Sequence, residues 1–515
     1  MATEDNRLVE QINTVEIIKD ENKIKSKTKE TVIDLLPQLI ASCLMYFLVI
    51  QAGISMSFSS VLITQIADNG EIELNTNSAS IIASIWSLSL PLGALSSGFL
   101  MDGFGRRKTG LFICFPFTIS WLIMSFAENV TMIYVARIIS GITAGLTTCS
   151  VVYVAEISSK TTRSGLLCMN SVWVSFGIFL TYFLNYFNLH WRTIGYVYAL
   201  MSSLCFLAIF VVPESPQWLL VFNKKENDER KRDQVKSTFS WLYRKQQISE
   251  VHYNDLIRSN EIRVVEAVDE NDTNWLRNIK RPQVYKPFTI LFFLFLLQQL
   301  SGGYVLIFYT LNIFRNLGAK FLNSIDERMA LVLVGSIRLV MAIIAAALAQ
   351  KCNRKILLYI STMGMGIFAF IASSQMLNVE DSAHSLFLRH DNNVTSDSLS
   401  SSSASNYILL LCVLSYMLFA SVGILIIPWT LISELYSIKY KATFGGTSVA
   451  VAYILMSIVL KIFPFALETF SISIIFAIFG GVSLTTAIFI YFYLPETHRK
   501  TFAEIEQSFM GVKDN

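Results

Sequence analysis

Gln298 and Gln299 are adjacent amides in a stretch, 291–300, that is otherwise phenylalanine and leucine. An amide offers two donors and an acceptor, which matches a hydroxyl that both donates and accepts. In hydrocarbon an unpaired amide is costly, so these side chains must face protein or water. Helical spacing places Gln298, Gly302 and Tyr309 on one face. A polar head, a backbone opening and an aromatic on one stripe suit a polyhydroxylated ring such as a sugar. The same amides also serve as interhelical hydrogen-bonding glue, and the pattern alone leaves both readings open. Trp429 follows Pro428 deep in another apolar run. Its indole offers a flat apolar face and one donor, at a depth that argues against an interfacial belt residue. Arg338 sits mid-run among Gly335, Ser336 and Leu339. A guanidinium at that depth must face a cavity, an anionic group or a carboxylate partner, or else snorkel.

A second constellation is charged and appears twice. Glu156 is followed seven residues on by Arg163, and Glu434 at the same step by Lys441. Downstream come Pro213-Glu214-Ser215 and Pro495-Glu496-Thr497, and upstream the basic loops Arg106-Arg107-Lys108 and Asn353-Arg354-Lys355. Charges of both signs at facing helix ends can latch two bundles together. An exposed pair contributes ~0–1 kcal/mol and a network a few, enough to bias a conformational equilibrium. We therefore expect Asp102, Arg106, Arg107, Glu156, Arg163, Glu434 and Lys441 to act in gating. Membrane topology alone accounts for the arginines and lysines but not for the repeated glutamates.

The elements that position these residues are apolar runs. The 515 residues are 53% hydrophobic and 15% charged, with a mean hydropathy of +0.50. A span needs about 20 predominantly apolar residues. Twelve such runs are predicted, near Pro37–Val61, Ser78–Met101, Thr109–Ala127, Val130–Val154, Gly165–Phe187, Thr193–Val212, Phe288–Asn312, Met329–Ala349, Ile356–Leu377, Tyr407–Ile432, Thr443–Ala466 and Ser471–Leu494. The expected fold is an all-α membrane protein of twelve transmembrane helices in two related six-helix bundles. Its expected divisions are a tail (1–36), a first bundle (37–212), a linker (213–287), a second bundle (288–494) and a tail (495–515). Lysine and arginine favour the cytoplasmic side, which places both tails, the linker and the basic loops inside. The first outer loop, Thr64 to Asn77, has neither, whereas the one after helix 7 carries Arg315, Lys320 and Arg328. The polar, lysine-rich first 30 residues read as a cytosolic tail rather than a signal peptide. In the linker, Trp218-Leu219-Leu220 and Trp241-Leu242-Tyr243 fit short amphipathic helices on the membrane face or a solvated connection. The sequon Asn393-Val394-Thr395 falls in a predicted outer loop and marks Asn393 as a glycosylation site. Asn129 lies at an outer turn too close to the membrane for that use. None of the seven cysteines falls in a predicted outer loop, so no disulfide framework is expected. With no Walker sequence, metal-ligand cluster or nucleophile triad, neither an enzyme, a metal nor a cofactor is expected. The partners expected are a small-molecule substrate and the bilayer, with no nucleic acid and the monomer as the working form.

With these marks in place, the chain resembles the sugar porter family of the major facilitator superfamily and, within it, the insect facilitated trehalose transporters. The resemblance runs over nearly all the membrane region. Its motifs are Gly98, Asp102, Gly105, Arg106 and Arg107 in loop 2–3, then Arg137 and Gly141, then Glu156 and Arg163. Pro213-Glu214-Ser215-Pro216-Gln217-Trp218-Leu219 and Gln298-Gln299-Leu300-Ser301-Gly302 follow, then Pro428-Trp429, Ser433-Glu434 and Pro495-Glu496-Thr497. The resemblance implies sugar transport by alternating access, of a hexose or a trehalose-like disaccharide. It implies a binding site of Gln298, Gln299, Tyr309, Trp429 and the position held here by Tyr304, where family members commonly carry an asparagine that binds a sugar hydroxyl. Proton-driven relatives have an aspartate in helix 1; this chain reads Gly53-Ile54-Ser55 there, which implies facilitative uniport at the plasma membrane. The chain departs from the family at Gln350 and Asn353, where an acidic residue and a glycine are expected. In helix 10, Gly423 to Trp429 lacks one Gly-Pro pair, so a straighter helix is expected. Tyr304 and Arg338 keep a carrier of another solute, such as an organic ion, as an alternative. The degenerate second-half motifs do the same for a non-transporting membrane sugar sensor.

Overall fold

The computed structural model describes residues 34–159, 162–221, 228–268, 281–316, 327–388, 396–436, 444–497 and 509. The chain forms two compact units. One comprises Met1–Cys43 and Pro213–Asn271, the other Leu44–Val212 and Asp272–Asn515. Both expected six-helix bundles thus fall, but for the start of the first helix, in a single unit. Among the described residues the regular elements are helices and there is no strand.

The first half comprises α1 (Leu36–Asn69), α2 (Thr76–Phe104), α3 (Arg106–Ser125), α4 (Val130–Leu146), α5 (Thr148–Ile157), α6 (Arg163–Tyr186) and α7 (Trp191–Phe210). The linker contains α8 (Pro216–Val221), α9 (Asp228–Leu242) and α10 (Gln246–Val268). The second half comprises α11 (Pro282–Leu300), α12 (Gly303–Asn316), α13 (Glu327–Lys351), α14 (Arg354–Leu388), α15 (Ser396–Val422), α16 (Ile427–Leu435), α17 (Gly446–Thr469) and α18 (Ile472–Tyr493). Twelve stretches of these helices are long and apolar enough to cross a membrane. They coincide with the predicted runs, α4 with α5, α11 with α12, and α15 with α16 each making one interrupted span.

The two halves repeat one packing scheme. In the first, α2 packs on α4 and α3 on α7; in the second, α13 packs on α15 and α14 on α18. The halves meet where α2 lies against α17 and α6 against α13. Close approach is built from small residues, because lipid supplies no hydrophobic drive between helices. A Cβ on Gly93 would lie 1.8 Å from the carbonyl oxygen of Ile142, and one on Gly141 2.4 Å from that of Trp86. Helix starts are capped from the sequence: Asn75 Oδ1 accepts from Ser78 N at 2.8 Å, and Asn129 Oδ1 from Met132 N at 2.9 Å, satisfying N–H groups without an intrahelical partner.

In the linker unit the expected short helices exist. Trp218, Leu219, Leu242 and Tyr243 are buried, whereas Trp241 is exposed. Tyr243 stacks on His252, and Lys245 pairs with Asp34 at 2.8 Å.

The α2–α4 contact has a direct test. Gly93→Ala should destabilise the protein by about 1–3 kcal/mol, the range for overpacking, because backbone rather than a movable side chain blocks the new methyl. The measurement is the thermal midpoint in detergent; an unchanged midpoint contradicts the close approach.

Candidate functional site

A cavity of about 390 Å3 lies between the two halves, within the size range of small-molecule sites. The first half lines it with Met56, Trp86, Thr147, Thr148, Asn170 and Ser171, among others, and the second with Tyr304, Arg338, Leu425, Ile426, Trp429 and Tyr453. The lining extends from mid-height toward the helix ends that carry Arg106, Glu156, Arg354 and Glu434, here called the basic end, as far as Val152, Ile432 and Gly445.

On the opposite side the halves are tied together. Thr64 Oγ1 donates to Asn312 Oδ1 at 2.9 Å, and Leu311 N to Ser60 Oγ at 3.1 Å. Tyr182 Oη donates to Ile307 O at 2.9 Å, and Lys461 Nζ to Asn77 Oδ1 at 2.6 Å and Ser80 Oγ at 2.9 Å. Arg315 forks onto both oxygens of Asp68 at 2.7 Å and reaches Glu327 at 2.8 Å. Arg315, one of the three cations of the predicted outer loop after helix 7, thus joins the halves.

The second-half wall depends on breaks in two helices. Between α11 and α12, Ser301 and Gly302 interrupt the helix, Gly302 with φ +84°, a conformation that glycine adopts without strain. Between α15 and α16 the backbone is irregular from 423 to 426. The straighter helix expected from the missing Gly-Pro pair does not form. The reason is local: a Cβ on Gly423 would come within 2.8 Å of Leu357 O, and Pro428 stands in the first turn of α16, where its missing N–H is tolerated. Side chains satisfy the freed backbone, as burial in a membrane requires. Ser361 Oγ accepts from Ile424 N at 3.0 Å and donates to Phe419 O at 2.7 Å. Gln298 Nε2 donates to Ile424 O, and Tyr304 Oη reaches Leu425 O at 3.5 Å.

These breaks decide where the sequence-predicted residues fall. Trp429 and Tyr304 are on the wall and bonded to each other, the indole Nε1 donating to Tyr304 Oη at 2.8 Å. Phe295 and Tyr453 flank the indole, with ring centroids 5.0 and 5.1 Å away. Gln298 and Gln299 are fully buried beside the wall rather than on it. Gln299 Nε2 donates to Gln298 Oε1 at 3.4 Å, and Gln299 Oε1 has no hydrogen-bond partner among the described residues. Tyr309 is not on the wall either: its hydroxyl donates to Leu460 O at 3.0 Å and its ring packs on Phe463. The expected stripe from Gln298 to Tyr309 does not survive the interruption at Ser301 and Gly302, since helical spacing does not carry across a break. Sequence reasoning missed Tyr453 and the first-half wall of Thr147, Thr148, Asn170 and Ser171. The signal available was a polar pair, Asn170-Ser171, inside an apolar run. Asn170 is half-buried, and its amide makes no hydrogen bond among the described residues.

At the basic end each half builds the same charged knot. Arg106 is buried and places Nη2 and Nε 2.8 and 3.1 Å from Glu156 Oε1, with Nη1 3.4 Å from Asp102. Arg354, its counterpart, places Nη2 and Nε 3.1 and 3.2 Å from Glu434 Oε1. Arg107 donates to Phe210 O and Lys355 to Tyr491 O, each at the end of the sixth helix of its half. Glu496 accepts from the backbone of Arg354 and Lys355, at the first turn of α14, where a carboxylate is favoured by the helix dipole. Arg163 is exposed. Lys441 and the sequon Asn393 lie outside the described residues.

The family model "Sugar (and other) transporter" matches residues 38–509. Among curated relatives, a "Sugar transporter ERD6-like 6" of Arabidopsis thaliana is 28% identical over 89% of this chain and 88% of its own length. A "Facilitated trehalose transporter Tret1" of Drosophila willistoni is 27% identical over 89% of this chain and 49% of its own length. The chain spans about half the length of the trehalose transporters it matches. Among solved structures, the proton:xylose symporter XylE bound to 6-bromo-6-deoxy-D-glucose superposes with a TM-score of 0.70 at 19% identity, covering 92% of this chain and 100% of that one. The inward open conformation of XylE from E. coli gives 0.68 at 19% identity, over 91% and 98%. The twelve spans, their two-fold packing and this likeness identify the major facilitator fold. A family of transporters, not of enzymes, accounts for a cavity between two membrane-embedded halves, and this chain belongs to the sugar transporter family.

Proposed function

We propose that the protein is a facilitative sugar carrier of the plasma membrane that works by alternating access, with a hexose or a trehalose-like disaccharide as substrate. The observation that carries this reading is a cavity between the halves that runs to the basic end while hydrogen bonds and an ion pair tie the halves at the other. That is one of the two states alternating access requires. The positive-inside asymmetry of the basic loops makes this the state facing the cytoplasm, with both termini cytosolic and the Asn393 segment outside. The indole of Trp429 supplies an apolar face for the C–H side of a sugar ring. Tyr304 and Asn170 supply hydroxyl partners from opposite walls, and Gln298 and Gln299 hold the broken helices that present the wall. The monomer contains the whole cavity.

Uniport is favoured by the make-up of the cavity wall. No carboxylate is among the described residues lining the cavity. At the helix 1 step where proton-driven relatives carry an acid, Arg137 Nη1 instead donates to the backbone oxygen of Ser55 at 2.6 Å. A carrier moves its proton through a titrating side chain, so uptake of labelled hexose or trehalose should run down its gradient and survive a protonophore. Accumulation that a protonophore collapses would sink the uniport reading. Surface-expressed protein that binds sugar without moving it would favour a sensor.

Trp429→Ala and Gln298→Ala should weaken apparent sugar affinity several-fold, about 0.5–1.5 kcal/mol for one hydrogen bond, with surface expression retained. A wild-type KM in Trp429→Ala refutes its place on the wall, and one in Gln298→Ala refutes its support of the wall.

Two end-specific substitutions test alternating access. Arg315→Gln removes a half-exposed tie worth ~0–1 kcal/mol, so a cysteine on the Asp68 side should label up to about fivefold faster. Glu156→Gln leaves Arg106 without its main charge partner and should lower the maximal rate several-fold. Unchanged rate and labelling in both variants would confine these charges to topology.

A further inference from the structure

Arg338 has no role in the reading above. It lies at mid-span in α13, is only 5% exposed and lines the cavity. Its Nε and Nη1 are buried and make no hydrogen bond among the described residues. Among the described residues, the hydroxyls of Tyr304 and Tyr182 act on it, and neither is an anion. Tyr182 is engaged with Ile307 O and Thr310, and Tyr304 takes the indole proton of Trp429. Arg137, buried in the fourth span, makes a useful contrast. Arg137 also has unbonded nitrogens, but it donates to Ser55 O, lies over the ring of Phe58 and does not line the cavity. Its contacts are with protein, away from the cavity wall. Arg338 instead adds to the cavity wall a guanidinium for which the described lining offers no carboxylate. A charge at membrane depth is costly unless paired, and breaking or omitting the partner of a buried charge is costlier than the pair itself.

We propose that the missing partner is the substrate: the carrier takes a sugar that bears a carboxylate, a uronate, and Arg338 binds that carboxylate. This rests on the carrier reading and specifies its substrate class. A guanidinium is the side chain best matched to a carboxylate, presenting parallel N–H donors to its two oxygens. The surroundings fit the rest of such a molecule. Trp429 offers a flat face to the ring, and Tyr304, Asn170 and Ser171 offer hydroxyl partners from both walls. One guanidinium balances one negative charge. A sugar phosphate, near two charges at neutral pH, leaves one unbalanced, since no second cationic side chain is among the described lining residues.

The test is uptake by the full-length protein in proteoliposomes with radiolabelled D-glucuronate, D-glucose and trehalose. Unlabelled D-glucuronate, D-glucose and glucose 6-phosphate serve as competitors. The expected result is that glucuronate enters, competes at lower concentration than glucose, and carries net negative charge, so an inside-positive potential speeds its entry. Arg338→Gln should lower the glucuronate-over-glucose selectivity by about tenfold to a hundredfold, the range for a hydrogen bond to a charged group. Arg338→Lys, which keeps the charge but not the fork, should lower it less. If Arg338→Gln fails to fold, the wild-type competition and Arg338→Lys decide. Uptake of glucose or trehalose without entry of or competition by glucuronate overturns this proposal and leaves the carrier reading standing. Stronger competition by glucose 6-phosphate than by glucuronate overturns the carboxylate assignment. A selectivity unchanged in Arg338→Gln removes Arg338 from the site. Failure of every sugar to enter overturns the carrier reading as well.

Discussion

Hydrocarbon offers no hydrogen-bond partner, and the rest of this structure follows from that constraint. Each backbone group in a span must be satisfied by its own helix or by a neighbour's side chain. The break between α15 and α16 is possible only because Ser361, Gln298 and Tyr304 take up the groups it frees. The break in turn brings Leu425, Ile426 and Trp429 to the cavity wall. A side chain that looks like a ligand-binding amide in the sequence is thus a support for the wall. Gln298 acts on the cavity through the backbone of α15 and α16.

The same constraint shapes the ends of the bundles. Arg106 and Arg354 are buried at the membrane edge, and each is held by a glutamate from the fourth span of its own half. The pairs form while the cavity runs to that end, so they stiffen each half as a body and do not depend on the halves meeting there. Across the opposite end the ties are of another kind. Hydrogen bonds from α1, α2 and α6 reach α12 and α17, together with the forked Arg315–Asp68 pair. Strong intra-half knots with small, individually weak inter-half bonds suit two rigid bodies that rock about a central site.

The repeated charged marks reported a duplicated bundle, and the structure resolves which residues answer one another. Among the described residues, Arg354 holds Glu434. The partner that folding supplies comes from a different loop, because helices adjacent in the bundle are not adjacent in the sequence.

Twelve spans, their two-fold repetition and the depth of Trp429 and Arg338 were all legible in the residues. Apolar run length and charge placement are local properties that the bilayer reads directly. The cavity itself was not legible. Helical periodicity placed Tyr309 with Gln298, yet a single glycine at φ +84° ends that register and turns Tyr309 toward Leu460. The first-half wall of Thr147, Thr148, Asn170 and Ser171 comes from α4–α6 and faces the second half only through packing between distant segments. Local sequence determined which residues lie at membrane depth and carry polarity or charge there. Only the tertiary structure decided which of them face the cavity and which lie behind it, because that depends on where two helices break and what lies across from the break.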